Sequence, residues 1–342
     1  MTTPPAFTVI VPAHQAELLL PDTLGALRAS TLPRGRWELL VVDDASRDAT
    51  SAVAARWADR VITLKGKPLG PGGARNAAAS VARGAWLIFI DADVRVHADT
   101  LELIAAAVAR DPDLAALFGS YDARPEARGV LSEYRNLLHR YVHLRGAGET
   151  ETFWAGCGAV RRDAYEAVGG FDTQRFPRPQ IEDIELGYRL RDHGGRILLY
   201  PAIQGTHLKR WRLGPMLRTD FRDRGVPWMR LLLERRGRTA PSLNTGRGEQ
   251  VRVAFAGVAA GLFVTSIAVR SGTLALGALL LFLTLAIANL DIYRWFASER
   301  GWLFAVSVVP LHLAYYVSNA LAAAVGIVLH LGSRPPSARS VT

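Results

Sequence analysis

The chain has 342 residues, with 41 Lys and Arg against 31 Asp and Glu for a net charge of +10, and a single cysteine. One thiol excludes an intramolecular disulfide framework and any cysteine-based metal site. The positive balance raises nucleic acid as a partner, but no recognised nucleic-acid module accompanies it, so nucleic acid is set aside.

Polar and apolar segments alternate as far as about residue 240, whereas the remainder is mainly Ala, Leu, Val, Gly and Phe. That shift predicts an α/β domain over 1–212 and a basic amphipathic segment over 213–250. A transmembrane region over 251–331 and a short tail over 332–342 follow. Met1 to Phe7 carries no basic residue and no apolar core, so no signal peptide is expected and the first domain is expected in the cytosol.

Phe7 to Val11 reads as a buried strand stopped by Pro12, and Trp37 to Val42 as a second ending in Asp43 and Asp44. Asp48 is placed to cap a helix running to about Ala58. Val61 to Leu64 is a short strand, Gly70 to Gly73 a turn, and Ala74 to about Val81 a helix of small residues. Trp86 to Ile90 is a continuous apolar strand ending in Asp91-Ala92-Asp93. The βαβαβα alternation predicts a mostly parallel sheet with helices on both faces.

Both acidic clusters fall at carboxyl ends of strands, where open α/β sheets bind ligands. Carboxylates beside a diphosphate need a balancing cation, and Mg²⁺ or Mn²⁺ takes carboxylate oxygens while leaving positions open for phosphate. Asp-x-Asp alone is a weak motif; at the end of a buried strand, about fifty residues after a second acidic strand end, it carries information. The Gly70-Pro71-Gly72-Gly73 run is not read as a dinucleotide fingerprint, because Arg75 holds the third glycine position and the run follows the basic stretch of Lys65 and Lys67 rather than the first strand. Arg75 at the opening of a helix reads as a donor toward a nucleotide or phosphate.

Val9-Ile10-Val11-Pro12-Ala13, Val41-Val42-Asp43-Asp44-Ala45-Ser46, Gly73-Ala74-Arg75-Asn76 and Asp91-Ala92-Asp93 resemble, in order and spacing, the successive signatures of glycosyltransferase family 2. The resemblance runs from about Phe7 to Trp211. It implies a GT-A fold and an inverting, metal-dependent transfer from a nucleotide-diphosphate sugar. By position it assigns Pro12 and Asp44 to the nucleobase with Arg75 nearby, Asp91 to the ribose and diphosphate, and Asp93 to the metal. The family often has Asn-Glu after the first strand; here His14-Gln15-Ala16-Glu17 stands there, with Glu17 in the corresponding role.

Phe153-Trp154-Ala155-Gly156-Cys157-Gly158-Ala159 resembles the segment lining the donor-sugar pocket, placing Cys157 among the donor-binding residues; a structural strand and turn fits the same residues. Ile181-Glu182-Asp183-Ile184 resembles the family's Glu-Asp motif, with Asp183 in the position of the catalytic base and Glu182 beside the acceptor. Inversion requires one carboxylate to take the acceptor proton. Glu185 and Arg189, spaced i,i+4, are expected to pair on the helix surface. His207-Leu208-Lys209-Arg210-Trp211 resembles the Gln-x-x-Arg-Trp motif of polysaccharide synthases with histidine in place of glutamine. The resemblance makes His207 a metal ligand and assigns Arg210 and Trp211 to the acceptor.

Between Lys209 and Arg238 ten Lys/Arg face three Asp/Glu, interspersed with Trp and Met. Gly225 and Pro227 are expected to divide this stretch into two short helices suited to an anionic lipid surface. Val253 to Val269 and Leu274 to Leu290 are uncharged runs of 17 residues, and Trp302 to Leu331 is a run of 30 without Lys, Arg, Asp or Glu. They predict three spans, the third tilted or kinked at Pro310, with a cytoplasmic loop over Asp291 to Gly301. The whole reads as a multi-pass inner-membrane transferase working at the cytoplasmic face, moving a sugar to a lipid acceptor such as polyprenyl phosphate. A processive polysaccharide synthase and a membrane-tethered sugar-nucleotide sensor are the competing readings. The first usually has membrane helices on both sides of its catalytic domain, and the second has no need of Asp183.

Overall fold

A computed structural model of the chain describes residues 5–238, 240 and 243–332. The first four residues, and the expected tail beyond Gly332, lie outside the described residues. The described residues divide into two compact units, one of 5–212 with 243–244 and one of 213–238, 240 and 245–332.

The first unit is built on strands β1 (Phe7–Ala13), β2 (Trp37–Asp44), β3 (Arg60–Leu64), β4 (Trp86–Ile90), β5 (Val94–Val96), β6 (Leu114–Tyr121), β7 (Gly148–Glu149), β8 (Cys157–Arg161) and β9 (Arg196–His207). They form one sheet in the order β3-β2-β1-β4-β8-β6-β9-β5, with β7 paired to β9. The expected parallel arrangement holds for β3-β2-β1-β4. Beyond β4 the sheet is mixed, because β8 enters antiparallel between β4 and β6, and β5 and β7 run antiparallel to β9. Pro12 does not end β1, which continues to Ala13 opposite Asp43 of β2.

Helices α1 (Leu20–Arg28), α2 (Thr50–Ala55), α3 (Gly70–Ala79), α4 (Thr100–Arg110), α5 (Val130–Arg145), α6 (Arg162–Ala167) and α7 (Glu182–Asp192) complete the unit. Successive strand side chains point to opposite faces, and this sorts the core into two layers. Val9, Val11, Leu39, Val41, Ile88 and Ile90 pack with Leu24 and Leu27 of α1 and Ile104 of α4. Ile10, Leu40, Val42, Leu87 and Phe89 pack on the other side with Ala74 and Ala78 of α3 and Leu186 and Leu190 of α7. Each large apolar side chain so buried contributes about 1.5–3 kcal/mol. Gly70 to Gly73, expected as a turn, is the first turn of α3, entered through Gly70 at φ +78°. The conformation needs glycine for a second reason, since a Cβ there would lie 2.9 Å from the carbonyl oxygen of Pro177.

The second unit is helical. α8 (Leu213–Arg218), a wide π-helical stretch (Thr219–Gly225) and α9 (Val226–Glu234) follow one another with helical backbone at Arg218, Gly225 and Val226. The stretch is therefore continuous rather than divided at Gly225. Pro227 sits in the first turn of α9, where its missing N–H is harmless. Then come α10 (Arg247–Ala268), α11 (Gly272–Ala288), α12 (Leu290–Arg300), α13 (Trp302–Ser307) and α14 (Val309–Gly332). Residues 247–268 and 302–332 are long and apolar enough to cross a membrane. α11 and α12 pass the same test only as a pair, bent by 60°. The segment Asp291 to Gly301, expected as a loop, is helix α12 through Arg300. Ile292, Tyr293 and Phe296 recur on one side and are buried, while Asp291 and Arg294 stay exposed, an amphipathic pattern that holds a helix. Asn289 occupies the bend, donating to Leu285 O at 2.8 Å and accepting from the Tyr316 hydroxyl at 3.0 Å.

One glycine governs how α7 meets the sheet unit. A Cβ on Gly187 would fall 2.4 Å from the Phe153 nitrogen and 2.7 Å from the Thr152 carbonyl carbon. Gly187→Ala should therefore lower thermal stability by about 1–3 kcal/mol through overpacking against backbone. Thermal unfolding of the two proteins checks this, and an unchanged melting temperature would show that α7 does not ride on the 152–153 segment.

Candidate active site

The carboxylates converge where β4 ends. Asp91 donates its backbone N–H to Gly156 O at 3.1 Å, which fixes the strand end against the entry to β8. Asp93 precedes β5, whose Val94 pairs with His207 at the end of β9, and Leu208 donates its N–H to Asp93 O at 2.9 Å. This brings His207 Nε2 to 3.7 Å from Asp93 Oδ2. That is beyond hydrogen-bond reach, but it lies within the separation of about 3–4 Å that two donors take around a cation with bonds near 2.1 Å. Burial alone would raise the Asp93 carboxyl, yet the His207 imidazole and the Lys209 ammonium hold it below its ordinary value. Among the described residues no group of three or more His, Cys, Asp or Glu is arranged to hold a metal ion. Asp93 and His207 are a two-donor set, which fits Mg²⁺ or Mn²⁺ bound jointly by protein and substrate phosphates.

His207 is buried, and its ring stacks on Tyr121 with centroids 4.4 Å apart and planes 17° from parallel. Tyr121 also meets His139 at 4.6 Å and the half-buried Trp154 edge-on at 4.9 Å. Gly156 leaves room for this indole, because a Cβ there would meet the ring at 2.4 Å. Trp154 lies in the motif resembling the donor-sugar segment, but neither it nor Tyr121 carries a role of its own in the sequence reading. The signal available was the aromatic-and-glycine run around Trp154; Tyr121 belongs to no pattern, since its place depends on β6 lying beside β9.

Asp183 stands in the first turn of α7, its Oδ2 accepting the Ala155 N–H at 3.1 Å and its Oδ1 the Ile184 N–H at 2.8 Å. Its side chain is half-buried and so remains within reach of solvent. Glu182 differs from the expected acceptor role. It is 5% exposed, and its Oε1 lies 3.4 Å from Arg75 Nη1. Burial and the neighbouring Asp183 push its carboxyl up to about 7, against the pull of Arg75.

Arg75 also departs from expectation. Its guanidinium is 3% exposed and directed at protein carboxylates, with Nη2 2.6 Å from Asp91 Oδ1 and the Phe171 ring 5.3 Å away. Burial disfavours its charge, but Asp91, Glu182 and Asp183 more than restore it and raise its pKa. Burial is the largest influence on Asp91 and raises its carboxyl; Arg75 opposes this, and Asp93 adds to the rise. Arg75 is therefore placed as the internal counter-ion of the acidic cluster.

Asp44 is 3% exposed and accepts the Leu69 and Gly70 N–H groups, each at 2.8 Å, so it anchors the start of α3. Pro12 is half-buried in β1. Glu17 closes a reciprocal pair with the neighbouring loop, donating its N–H to Asp48 at 3.2 Å and accepting from Ala49 N–H at 2.8 Å. Cys157 is fully buried in the apolar cluster, and burial raises its thiol to about 12. It offers no side chain to a ligand, which corrects its place among the donor-binding residues. Arg210 is exposed. Trp211 is half-buried, with the Lys209 ammonium 4.4 Å and the Arg135 guanidinium 5.5 Å from its ring. Glu185 and Arg189 pair at 2.7 Å, but Glu185 is buried, so the pair does not lie on the open helix surface as expected.

Residues 8–169 match the model of glycosyl transferase family 2. It is 33% identical over 104 residues to the poly(ribitol-phosphate) beta-N-acetylglucosaminyltransferase TarS of Staphylococcus aureus, covering 29% of this chain and 18% of that protein. It is 25% identical over 222 residues to the probable glycosyltransferase YdaM of Bacillus subtilis, covering 58% of this chain and 49% of that one. The chain thus spans half or less of the length of these curated relatives. Among solved structures it resembles the mannosyltransferase PcManGT from Pyrobaculum calidifontis, in complex with GDP-Man and Mn²⁺. The TM-score is 0.57 with 21% identity, over 98% of this chain and 89% of that one. The shared fold is GT-A.

The buried Glu182 generates a pH dependence. Its folded value of about 7 lies above the ordinary 4.5, so the native state binds the extra proton. The stability it contributes is complete below about pH 4.5 and is lost as pH rises to about 7. Glu182→Gln should therefore flatten the fall in melting temperature across that window. Parallel slopes for the two proteins would count against a buried, raised carboxyl.

Proposed function

We propose that the chain is an inverting, metal-dependent glycosyltransferase that moves a sugar from a nucleotide-diphosphate sugar to a membrane lipid acceptor. The observation that carries this reading is the pairing of Asp93 with His207 at 3.7 Å on one side of the carboxylate cluster, with Asp183 half-buried at the start of α7 on another. The first is a site for a cation and a diphosphate; the second is a base.

Asp93 and His207 would hold Mg²⁺ or Mn²⁺, which supplies charge neutralisation for the departing diphosphate. Asp183 accepts the proton of the acceptor hydroxyl as that oxygen attacks the anomeric carbon. The bond from that carbon to the diphosphate oxygen breaks, and the nucleoside diphosphate leaves with the electron pair. The Ala155 N–H aims the Asp183 carboxylate, and Arg75 screens Asp91 from the incoming phosphates. PcManGT, solved with GDP-Man and Mn²⁺, supports a donor of this class and a divalent metal. Pro12, Glu17 and Asp44 remain the candidates around the nucleobase, with Arg210 and Trp211 toward the acceptor. The helices over 247–268 and 302–332, and the basic stretch from Lys209 to Arg238, support a lipid acceptor and an anionic lipid surface. The placement proposed is multi-pass, with the catalytic unit cytoplasmic.

Asp183→Asn keeps size and removes basicity, so nucleotide-sugar affinity should stay near wild type while turnover falls by roughly 10²–10⁴. Asp93→Ala should instead weaken metal and donor binding together. Donor calorimetry and initial rates on both variants decide between these roles, and near-normal turnover in Asp183→Asn would remove the base. For the topology, single cysteines introduced at Ser271 and Ser298 should label from opposite sides of sealed vesicles, with the buried Cys157 silent. Labelling from one side at both positions would refute a crossing by α11.

A further inference from the structure

A metal-binding imidazole is ordinarily aimed by a hydrogen bond from its second ring nitrogen to a carboxylate or carbonyl. The geometry around the His207 ring is of another kind. Its Nε2 faces Asp93, and one ring face lies on Tyr121 at 4.4 Å and 17°. We propose that Tyr121 is a positioning residue for the metal site, holding the plane of the His207 imidazole so that Nε2 stays directed at the cation shared with Asp93. This rests on the reading of His207 as a metal ligand given above.

The backbone around the pair is fixed on several sides, so the stack joins two anchored rings. Tyr121 ends β6 opposite Gly205 of β9, and Asp122 N–H donates to Gly205 O at 3.0 Å. Thr206 Oγ1 donates to Asp122 Oδ2 at 2.5 Å, tying the residues next to each ring together. Arg140 Nη1 donates to Tyr121 O at 2.9 Å, and Glu126 N–H to His207 O at 3.0 Å. With the main chain held, rotation of the imidazole about its side-chain bonds is the freedom left, and a flat ring against its face removes it. Tyr121 is itself 9% exposed and wedged against His139 and Trp154, so it cannot swing away at little cost. Stacking has a further property that suits the role. An imidazole bound to a cation becomes electron-poor, and the negative face of a phenol ring attracts it more strongly. The contact thus favours the metal-bound state over the free one.

The test uses the full-length protein in nanodiscs, titrated with Mn²⁺ by calorimetry in the presence of UDP and, separately, GDP. Tyr121→Leu should raise the Kd for Mn²⁺ by roughly 10–100-fold, the usual effect of losing a group that orients a ligand. Tyr121→Met, flexible and unable to stack as a plane, carries the same expectation should the leucine variant fail to fold. Tyr121→Phe keeps the ring and should stay within about threefold of wild type. Nucleotide affinity measured without metal should not change in any of them. The decisive comparison is made in the His207→Ala background, where removing the Tyr121 ring should weaken Mn²⁺ binding no further. A full additional loss there would overturn the proposal, as would a loss in Tyr121→Phe equal to that in Tyr121→Leu. If His207→Ala alone leaves Mn²⁺ affinity unchanged, His207 is not a ligand, and the proposal falls with that assignment rather than on the behaviour of Tyr121.

Discussion

The acidic cluster at the end of β4 depends on one buried cation. Asp91, Asp93, Glu182 and Asp183 are drawn together by a strand end and a helix start that lie far apart in sequence. Their mutual repulsion in a poorly solvated site would work against the fold. Arg75, reaching in from α3, lies 2.6 Å from Asp91 and 3.4 Å from Glu182. A buried guanidinium flanked by carboxylates is costly to leave unpaired. Each member of the group therefore requires the others, and the positions of α3, β4 and α7 are linked through this charge balance.

The same balance separates the roles of the carboxylates. Glu182 and Asp91 are held high by burial, whereas Asp93 is held low by a neighbouring imidazole and ammonium. Groups of one chemical type acquire different protonation tendencies from their surroundings, which is how a site performs acid–base and electrostatic work at one pH. The low-lying Asp93 is on the side of His207, and the helix-held Asp183 is on the side of Ala155. The two functions proposed for the cleft thus fall on different edges of the same charge group.

How much of this could be read from the residues varies with the physics involved. The strands β1, β2 and β4 were legible because a strand buried on both faces is a continuous apolar run, and Trp86–Ile90 was located to the residue. The positions of Asp91, Asp93 and Asp183 followed from motifs at strand and helix ends. The antiparallel insertion of β8 was not legible, because its Gly-rich run carries no directional signal. The exchange of Arg75 from ligand donor to internal counter-ion turns on the distance between α3 and α7, which sequence separation conceals. Glu182 likewise differs from Asp183 only by which side of the helix start it occupies. Cys157 was assigned by its neighbours in a motif, whereas strand alternation turns its own side chain into the core. In the second unit, Asp291 and Arg294 gave α12 the look of a loop, although its apolar residues kept a helical period.

The bend at Asn289 has a consequence for the backbone on either side of it. Where α11 stops and α12 turns away by 60°, carbonyl groups are released from the helical ladder, and the Asn289 amide takes up that of Leu285. The turn thereby keeps the Leu285 carbonyl paired. It also fixes the length of α11 at 17 residues, or about 26 Å at 1.5 Å per residue, against a hydrocarbon core of about 30 Å. Were α11 to cross a membrane, tilting would only shorten its reach, and the mismatch would be met by snorkelling of flanking residues, by oligomerisation or by local thinning of the lipid.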